Sequence, residues 1–298
     1  MGPLLDIVYV VALATTLWAT ALGSGLSHRM GEVAAAAANH RRFARIVVLD
    51  TVAIPLVVYA LTRVLAVPEG YAAGLVLVGA ASGGAIGLAV VRMAHADVPL
   101  AIGLIVVLEI GNLLTIPFWS SILASGSVRP PLGDVVATLV LGVLVPLILG
   151  MTLRARRPNR AKVWAGTLGR VSAAGFVTVV AIAVGRDIGD VITAAVSVSL
   201  VALITVGVAL LSGWSVGYPG SASRSTAALV TSVRANTPAL AVASATYGAS
   251  SYASSAIVVF ALVSLLVSGL MAVPLSRVQS PGWVREGSEG STAPSVLD

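Results

Sequence analysis

Apolar residues run along this chain in long stretches, and short segments holding most of the arginines separate them. A helix that crosses a bilayer needs about 20 predominantly apolar residues. By that criterion the chain predicts nine spans, at roughly 4–25, 45–66, 70–93, 97–124, 132–153, 164–185, 188–213, 222–246 and 252–276. The first does not read as a cleavable signal: no basic segment precedes it, and apolar stretches continue far beyond it. Residues 279–298 are rich in Ser, Gly and Pro and read as a disordered cytoplasmic tail. Residues 1–278 therefore read as one all-α, polytopic membrane unit.

Composition agrees. Of 298 residues, 57% are hydrophobic and 10% charged, and mean hydropathy is +0.99. A soluble domain carries about 25% charged residues, so lipid must cover most of this surface. The absence of cysteine removes disulfides, thiolate metal sites and Cys nucleophiles. A net charge of +6 would suit nucleic acid, but the arginines sit where topology explains them. Arg29, Arg41, Arg42, Arg45, Arg92, Arg154, Arg156, Arg157, Arg160, Lys162, Arg224, Arg277 and Arg285 fall on one side of the predicted spans. Only Arg63, Arg129 and Arg186 fall on the other. Cytoplasmic loops carry the excess of Lys and Arg, which places the N-terminus outside and the C-terminus inside a cell membrane. An odd number of spans requires the same.

Two spans are interrupted. The third holds Ser82, Gly83 and Gly84, and the eighth holds Asn236, Thr237 and Pro238. Glycine weakens a helix and proline removes one of its hydrogen bonds, so each motif predicts a helix break; small residues for close helix packing are the plainer reading. The segment 82–90 can be laid on 234–242. Each is followed by a span that contains Ile-Val-Val and closes on a proline, Pro117 or Pro274. Five spans separate the third from the eighth, so equivalent helices run in opposite directions. Inverted repeats with one discontinuous helix each point to a secondary transporter with its site near the bilayer midplane. The repeats would cover about 4–124 and 132–276.

Over about residues 15–275 the chain resembles the bile acid:sodium symporter family, within a wider superfamily that includes arsenite exporters. The resemblance rests on the order and spacing of several features. These are the helix end and basic loop from Gly23 to Arg45, the stretch from Asp50 to Pro55, the small-residue break in span three, Asp97-Val98-Pro99-Leu100, Ile116-Pro117, and Val233 to Ala241. It implies a core domain with two broken helices crossing at midplane, a panel domain, and a substrate and ion site at the crossing. It also implies departures. Ser232 stands where the family has a sodium-binding Glu, Arg234 follows two residues later, Asp50 replaces a Gln near sodium, and Glu109 falls on a sodium-contacting hydroxyl.

Charges inside a membrane are costly and should face a cavity or a partner. Asp50, Glu109 and Arg234 each lie several residues inside a span. Arg234 would stand in for one sodium and pair with Asp50 or Glu109, and the remaining carboxylate would take a proton or a single cation. The alternatives are a structural ion pair that moves nothing, or an Asp50 that snorkels towards Arg45. The expected binding residues are Asp50, Ser82, Glu109, Asn112, Ser232, Arg234, Asn236 and Thr237, with Gly83, Gly84 and Pro238 breaking the helices. Asn112, Asn236 and Thr237 serve equally well as helix-packing hydrogen-bond formers.

Other chemistry is poorly represented. His28, His40 and His95 lack ligand spacing. Glu32, Val33 and the Ala-rich run after them read as an interfacial helix. No phosphate-binding glycine loop points to ATP, and no hydrolytic triad points to an enzyme. The reading is a secondary transporter of a small organic solute, an organic anion by resemblance, with altered or absent two-sodium coupling. Its coupling ion would be a proton or one sodium, and no cofactor or bound metal is expected. The alternatives are an inorganic-ion transporter of the same fold (arsenite, or sodium against protons) and a non-transporting sensor or scaffold. Its partners would be the solute and the lipid bilayer, with no nucleic acid; the pattern does not speak to oligomeric state.

Overall fold

The structure is a computed structural model and describes residues 3–27, 39–123, 131–186, 188–248 and 251–279. The expected interfacial helix around Glu32 and Val33, the loop residues His28, Arg29 and Arg129, and Arg285 lie outside the described residues. Gln279, expected in the tail, belongs to the last helix, and residues 280–298 also lie outside the described residues.

Every regular element among the described residues is helical. In chain order they are α1 Pro3–Ser27, α2 His40–Val64, α3 Glu69–Ala80, α4 Ile86–Met93, α5 Val98–Leu123 and α6 Leu132–Arg156. Then follow α7 Pro158–Arg186, α8 Ile188–Val216, α9 Ser221–Ser232, α10 Asn236–Tyr247 and α11 Tyr252–Gln279. Among the described residues, seven helices are long and apolar enough to cross a membrane: α1, α2, α5, α6, α7, α8 and α11. Their outward faces are apolar, with Leu114 77%, Leu211 73% and Val196 80% exposed. A soluble protein would not leave such faces to water.

Packing divides the helices into two groups. Helices α1, α6 and α7 form a three-helix layer, while α2, α3, α4, α5, α8, α9, α10 and α11 form the main body. Within the body, Leu104, Ile105 and Leu108 of α5 meet Leu229 and Val230 of α9 in one apolar cluster. Leu75, Leu77 and Val78 of α3 join Ala256, Ile257 and Phe260 of α11 in another.

Two places in the body depart from regular helix. The first is a π turn in α2 at Leu49–Ala53, just before Pro55. In a regular α-helix the amide of residue 55 would bond the carbonyl of residue 51, but proline has no N–H. Trp119 of α5 fills that gap, donating its indole N–H to the Thr51 carbonyl at 2.7 Å. The Ile54 amide reaches back to Leu49 in the π turn, so the Asp50 carbonyl is also left without a helical donor.

The second is the pair of interruptions. Helices α3 and α9 each run 12 residues and end on an extended residue, Ala81 (φ −84°, ψ 94°) and Val233 (φ −97°, ψ 112°). The two breaks touch: the Gly84 amide donates to the Val233 carbonyl at 3.1 Å, and the Ala235 amide donates to the Ala81 carbonyl at 3.0 Å. Gly83 has φ +66°, where an L side chain is strained. A Cβ on Gly84 would lie 3.0 Å from the Arg234 carbonyl carbon and 3.2 Å from Val233 Cγ1. The contact between the breaks therefore requires glycine at both positions.

The second break lies earlier than the proline predicted. Asn236, Thr237 and Pro238 form the first turn of α10, and the interruption covers Val233 to Ala235. Proline fits a first helical turn because the amide it lacks has no partner there. Pro238 thus starts a helix instead of breaking one.

Candidate functional site

The end of α3 sets up the site. The last carbonyls of a helix have no partner within it, and they carry the negative end of its dipole. Each carbonyl here can be accounted for. The Ala81 amide bonds the carbonyls of Leu77 (3.1 Å) and Val78 (3.2 Å). Thr115 donates its hydroxyl to the Ala80 carbonyl at 3.1 Å. Asn112 holds Ser82 from both sides, accepting its amide at 2.8 Å and donating to its carbonyl at 2.9 Å.

The Gly79 carbonyl falls to Arg234. Its Nη2 donates there and also to Ser82 Oγ at 3.3 Å, and its Nε donates to Val78 at 3.4 Å. Its Nη1 donates to Asp50 Oδ1 in an ion pair. The freed Asp50 carbonyl accepts from Ser82 Oγ at 3.1 Å and from Arg234 Nη2 at 3.4 Å. Arg234 is 2% exposed and Asp50 0%, so Asp50 does not snorkel towards the basic loop. A fixed cation sits at the negative end of α3, neutralised by a carboxylate from α2. The second carboxylate oxygen, Oδ2, is buried with no hydrogen-bond partner among the described residues.

Glu109 is placed differently. It lies mid-way along α5, 6% exposed, and Ser24 of α1 donates a 2.7 Å hydrogen bond to its Oε2. No cation pairs with it among the described residues. It lines a cavity of about 530 Å³ between the three-helix layer and the main body. The starts of α4 (Ala85, Ile86) and α10 (Asn236, Thr237, Pro238) line the same cavity. Two helices thus turn their positive ends towards it. Asn236 Oδ1 is buried without a partner among the described residues.

All but Ser232 of the expected binding residues therefore fall into two sets. Asp50, Ser82, Asn112 and Arg234 are bonded together around the first break. Glu109, Gly84, Asn236, Thr237 and Pro238 border the cavity, and so does Arg234. Ser232 is in neither set: its hydroxyl donates to Leu229 O at 2.9 Å and accepts from Ser268 at 2.9 Å. No group of three or more His, Cys, Asp or Glu suited to a metal occurs among the described residues.

Sequence reading missed Ser24, Thr115 and Ser268. A signal for Ser24 existed: Thr16, Thr20 and Ser24 recur every fourth residue, one face of a helix. Thr20 and Ser172 of α7 form a 2.5 Å hydrogen bond on that face. Thr115 stands three residues from Asn112, on the same side of α5.

A comparison with protein-family models matches residues 17–195 to the sodium bile acid symporter family. The match runs from the middle of α1 through α7 into the first turns of α8, and ends before α9 and α10. No curated protein matches the chain.

Proposed function

The chain belongs to the sodium bile acid symporter family, and on that premise we propose that it is a secondary transporter of a small organic anion, with Arg234 in place of a sodium ion. It is a multi-pass membrane protein of a transporter family. In the proposed reading there are nine crossings, each broken pair (α3 with α4, α9 with α10) counting as one. The three-helix layer is the panel, the main body is the core, and the two breaks meet near midplane as the crossing of inverted repeats. The N-terminus faces outward and the C-terminus the cytoplasm.

The observation that carries this reading is Arg234 at the end of α3. A half-helix C-terminus within a membrane is a place for a cation, and here a guanidinium occupies it, balanced by Asp50. A sodium ion brought to the same carbonyls would meet a like charge. At 4 Å and an effective dielectric of about 20, that repulsion is about 4 kcal/mol. The Ser232 hydroxyl is already engaged by Ser268 and Leu229. Sodium therefore binds at most once, and not beside Ser232. The cavity offers an anion the starts of α4 and α10, and its mostly apolar wall suits an organic body.

The test is uptake into proteoliposomes of a panel of radiolabelled organic anions: aliphatic mono- and dicarboxylates, aromatic carboxylates and sulfonates. Sodium is replaced by choline in parallel. Uptake of a panel member without a steep, two-ion sodium dependence is expected. A steep dependence would overturn the place given to Arg234, and no uptake of any member would overturn the organic-anion reading.

A further inference from the structure

Charge bookkeeping around the cavity leaves one group over. Arg234 and Asp50 cancel one another. Among the described residues, the only ionisable ones along the cavity wall are Arg234 and Glu109, and the guanidinium is turned to Asp50 and the α3 carbonyls. Among the described residues, Glu109 is thus the one charge along the cavity wall that no counter-ion meets.

The groups on the surrounding elements do not change this. On α2, Asp50 is fully buried and engaged. Glu69 stands in the first turn of α3, Arg92 in the last turn of α4, and Asp134 in the first turn of α6. Arg154 of α6 bonds the Leu26 carbonyl, Arg224 of α9 bonds the Trp214 carbonyl, and Arg170 of α7 is exposed. From α1 it is Ser24, a neutral hydroxyl, that meets Glu109. That bond joins the three-helix layer to the main body, one partner in each.

We infer that Glu109 is a proton-binding site, and that the proton it takes up both neutralises the cavity and weakens the Ser24 hydrogen bond that clasps α1 to α5. The inference rests on the transporter reading for its use, though not for its test. A carboxylate buried without a cation carries its charge at a desolvation cost, and a bound proton removes that charge. Like charges exclude one another at close range in such a place, so an anionic solute enters once Glu109 is neutral. Proton and solute then cross together, and for a monoanion the loaded step carries no net charge. A hydrogen bond to an ionised acceptor is roughly twice as strong as one between neutral groups. The clasp is therefore tight when the site is empty and loose when it is loaded.

Infrared difference spectroscopy of the purified full chain in lipid nanodiscs, titrated over roughly pH 4 to 9 around the ordinary carboxyl range, reads the proton directly. A protonated-carboxyl C=O band that titrates in the wild type, disappears in Glu109→Gln and shifts in frequency in Ser24→Ala is expected. A titrating C=O signal as large in Glu109→Gln as in the wild type overturns the site, and a Glu109 component indifferent to Ser24→Ala overturns the clasp. Uptake of any accepted anion is then driven by an inward proton gradient in the wild type and indifferent to pH in Glu109→Gln. If anions move but Glu109→Gln leaves the pH profile unchanged, the proton site fails and the transporter reading stands. If the infrared band behaves as expected while no anion moves, the site stands and the organic-anion reading fails.

Discussion

Arg234 and Asp50, 184 residues apart in sequence, form an ion pair in which the two side chains are 1% and 0% exposed. The pair is the electrostatic centre of the main body. It joins α2 to the link between α9 and α10, and the same guanidinium holds the end of α3.

Removing one partner strands the other's charge in a buried site, which costs about 3–5 kcal/mol. Asp50→Asn and Arg234→Gln are each expected to lower the unfolding temperature in detergent steeply. The double variant should recover part of the loss, because no lone charge remains. Equal and additive losses in a double-mutant cycle would show that the two residues do not act as a pair.

If the guanidinium stands where an ion would, shortening it opens the place. Arg234→Ala leaves the Gly79 and Val78 carbonyls and the Asp50 carboxylate facing a gap. This variant is expected to be stabilised against heat by sodium chloride relative to choline chloride, with the wild type indifferent. Equal response of both proteins to the two salts would count against the substitution.

The seven long helices were legible in the apolar stretches, because a membrane helix needs only continuous hydrophobicity. Asp50, Glu109 and Arg234 stood out for the same reason, as charges where lipid allows few. Which carboxylate meets the arginine was not legible. That depends on the π turn before Pro55, which leaves the Asp50 carbonyl free to face Ser82 and Arg234, and π turns carry no sequence mark as plain as a proline. The start of α10 was misplaced because proline both breaks a helix interior and opens a helix. Only the position of Ala235, non-helical and bonded to Ala81, decides between these roles.

Asn112 satisfies both backbone groups of Ser82 at once. In Asn112→Leu these two buried groups lose their partners, at about 1–3 kcal/mol each. The expected result is a large drop in thermal stability, shared by Asn112→Asp, whose carboxylate accepts from the Ser82 amide but sets a buried charge against the Ser82 carbonyl. A wild-type melting curve for Asn112→Leu would show that the break does not depend on the clamp.

Gly84→Ala places a methyl against the Arg234 carbonyl at the contact between the breaks. Overpacking of this kind costs about 1–3 kcal/mol. Gly133→Ala, where an added Cβ meets nothing within 4 Å, is the control and should melt as the wild type does. Equal melting of both variants would mean that the two breaks can separate.

Orientation is checked by labelling. Arg157 and Arg63 are both exposed and fall on opposite sides by the charge bias. In the cysteine-free chain, Arg157→Cys should react with an impermeant maleimide only from the cytoplasmic side, and Arg63→Cys only from outside. The reverse pattern would invert the topology.

The bonds between the breaks have a mechanical meaning. Gly84 to Val233, Ala235 to Ala81, and the Arg234 side chain across to α2 and α3 together rivet the crossing. A rivet of buried backbone bonds and an ion pair does not slide by small steps, since any shift would strand several polar groups at once. The α1–α5 side of the cavity, by contrast, is bridged by a hydroxyl and a carboxylate. In the proposed transporter reading, motion that exposes the cavity first to one face and then to the other has its plane of slip between the three-helix layer and the rest. On that reading the main body travels along the plane as a single rigid cartridge, carrying its own cation with it.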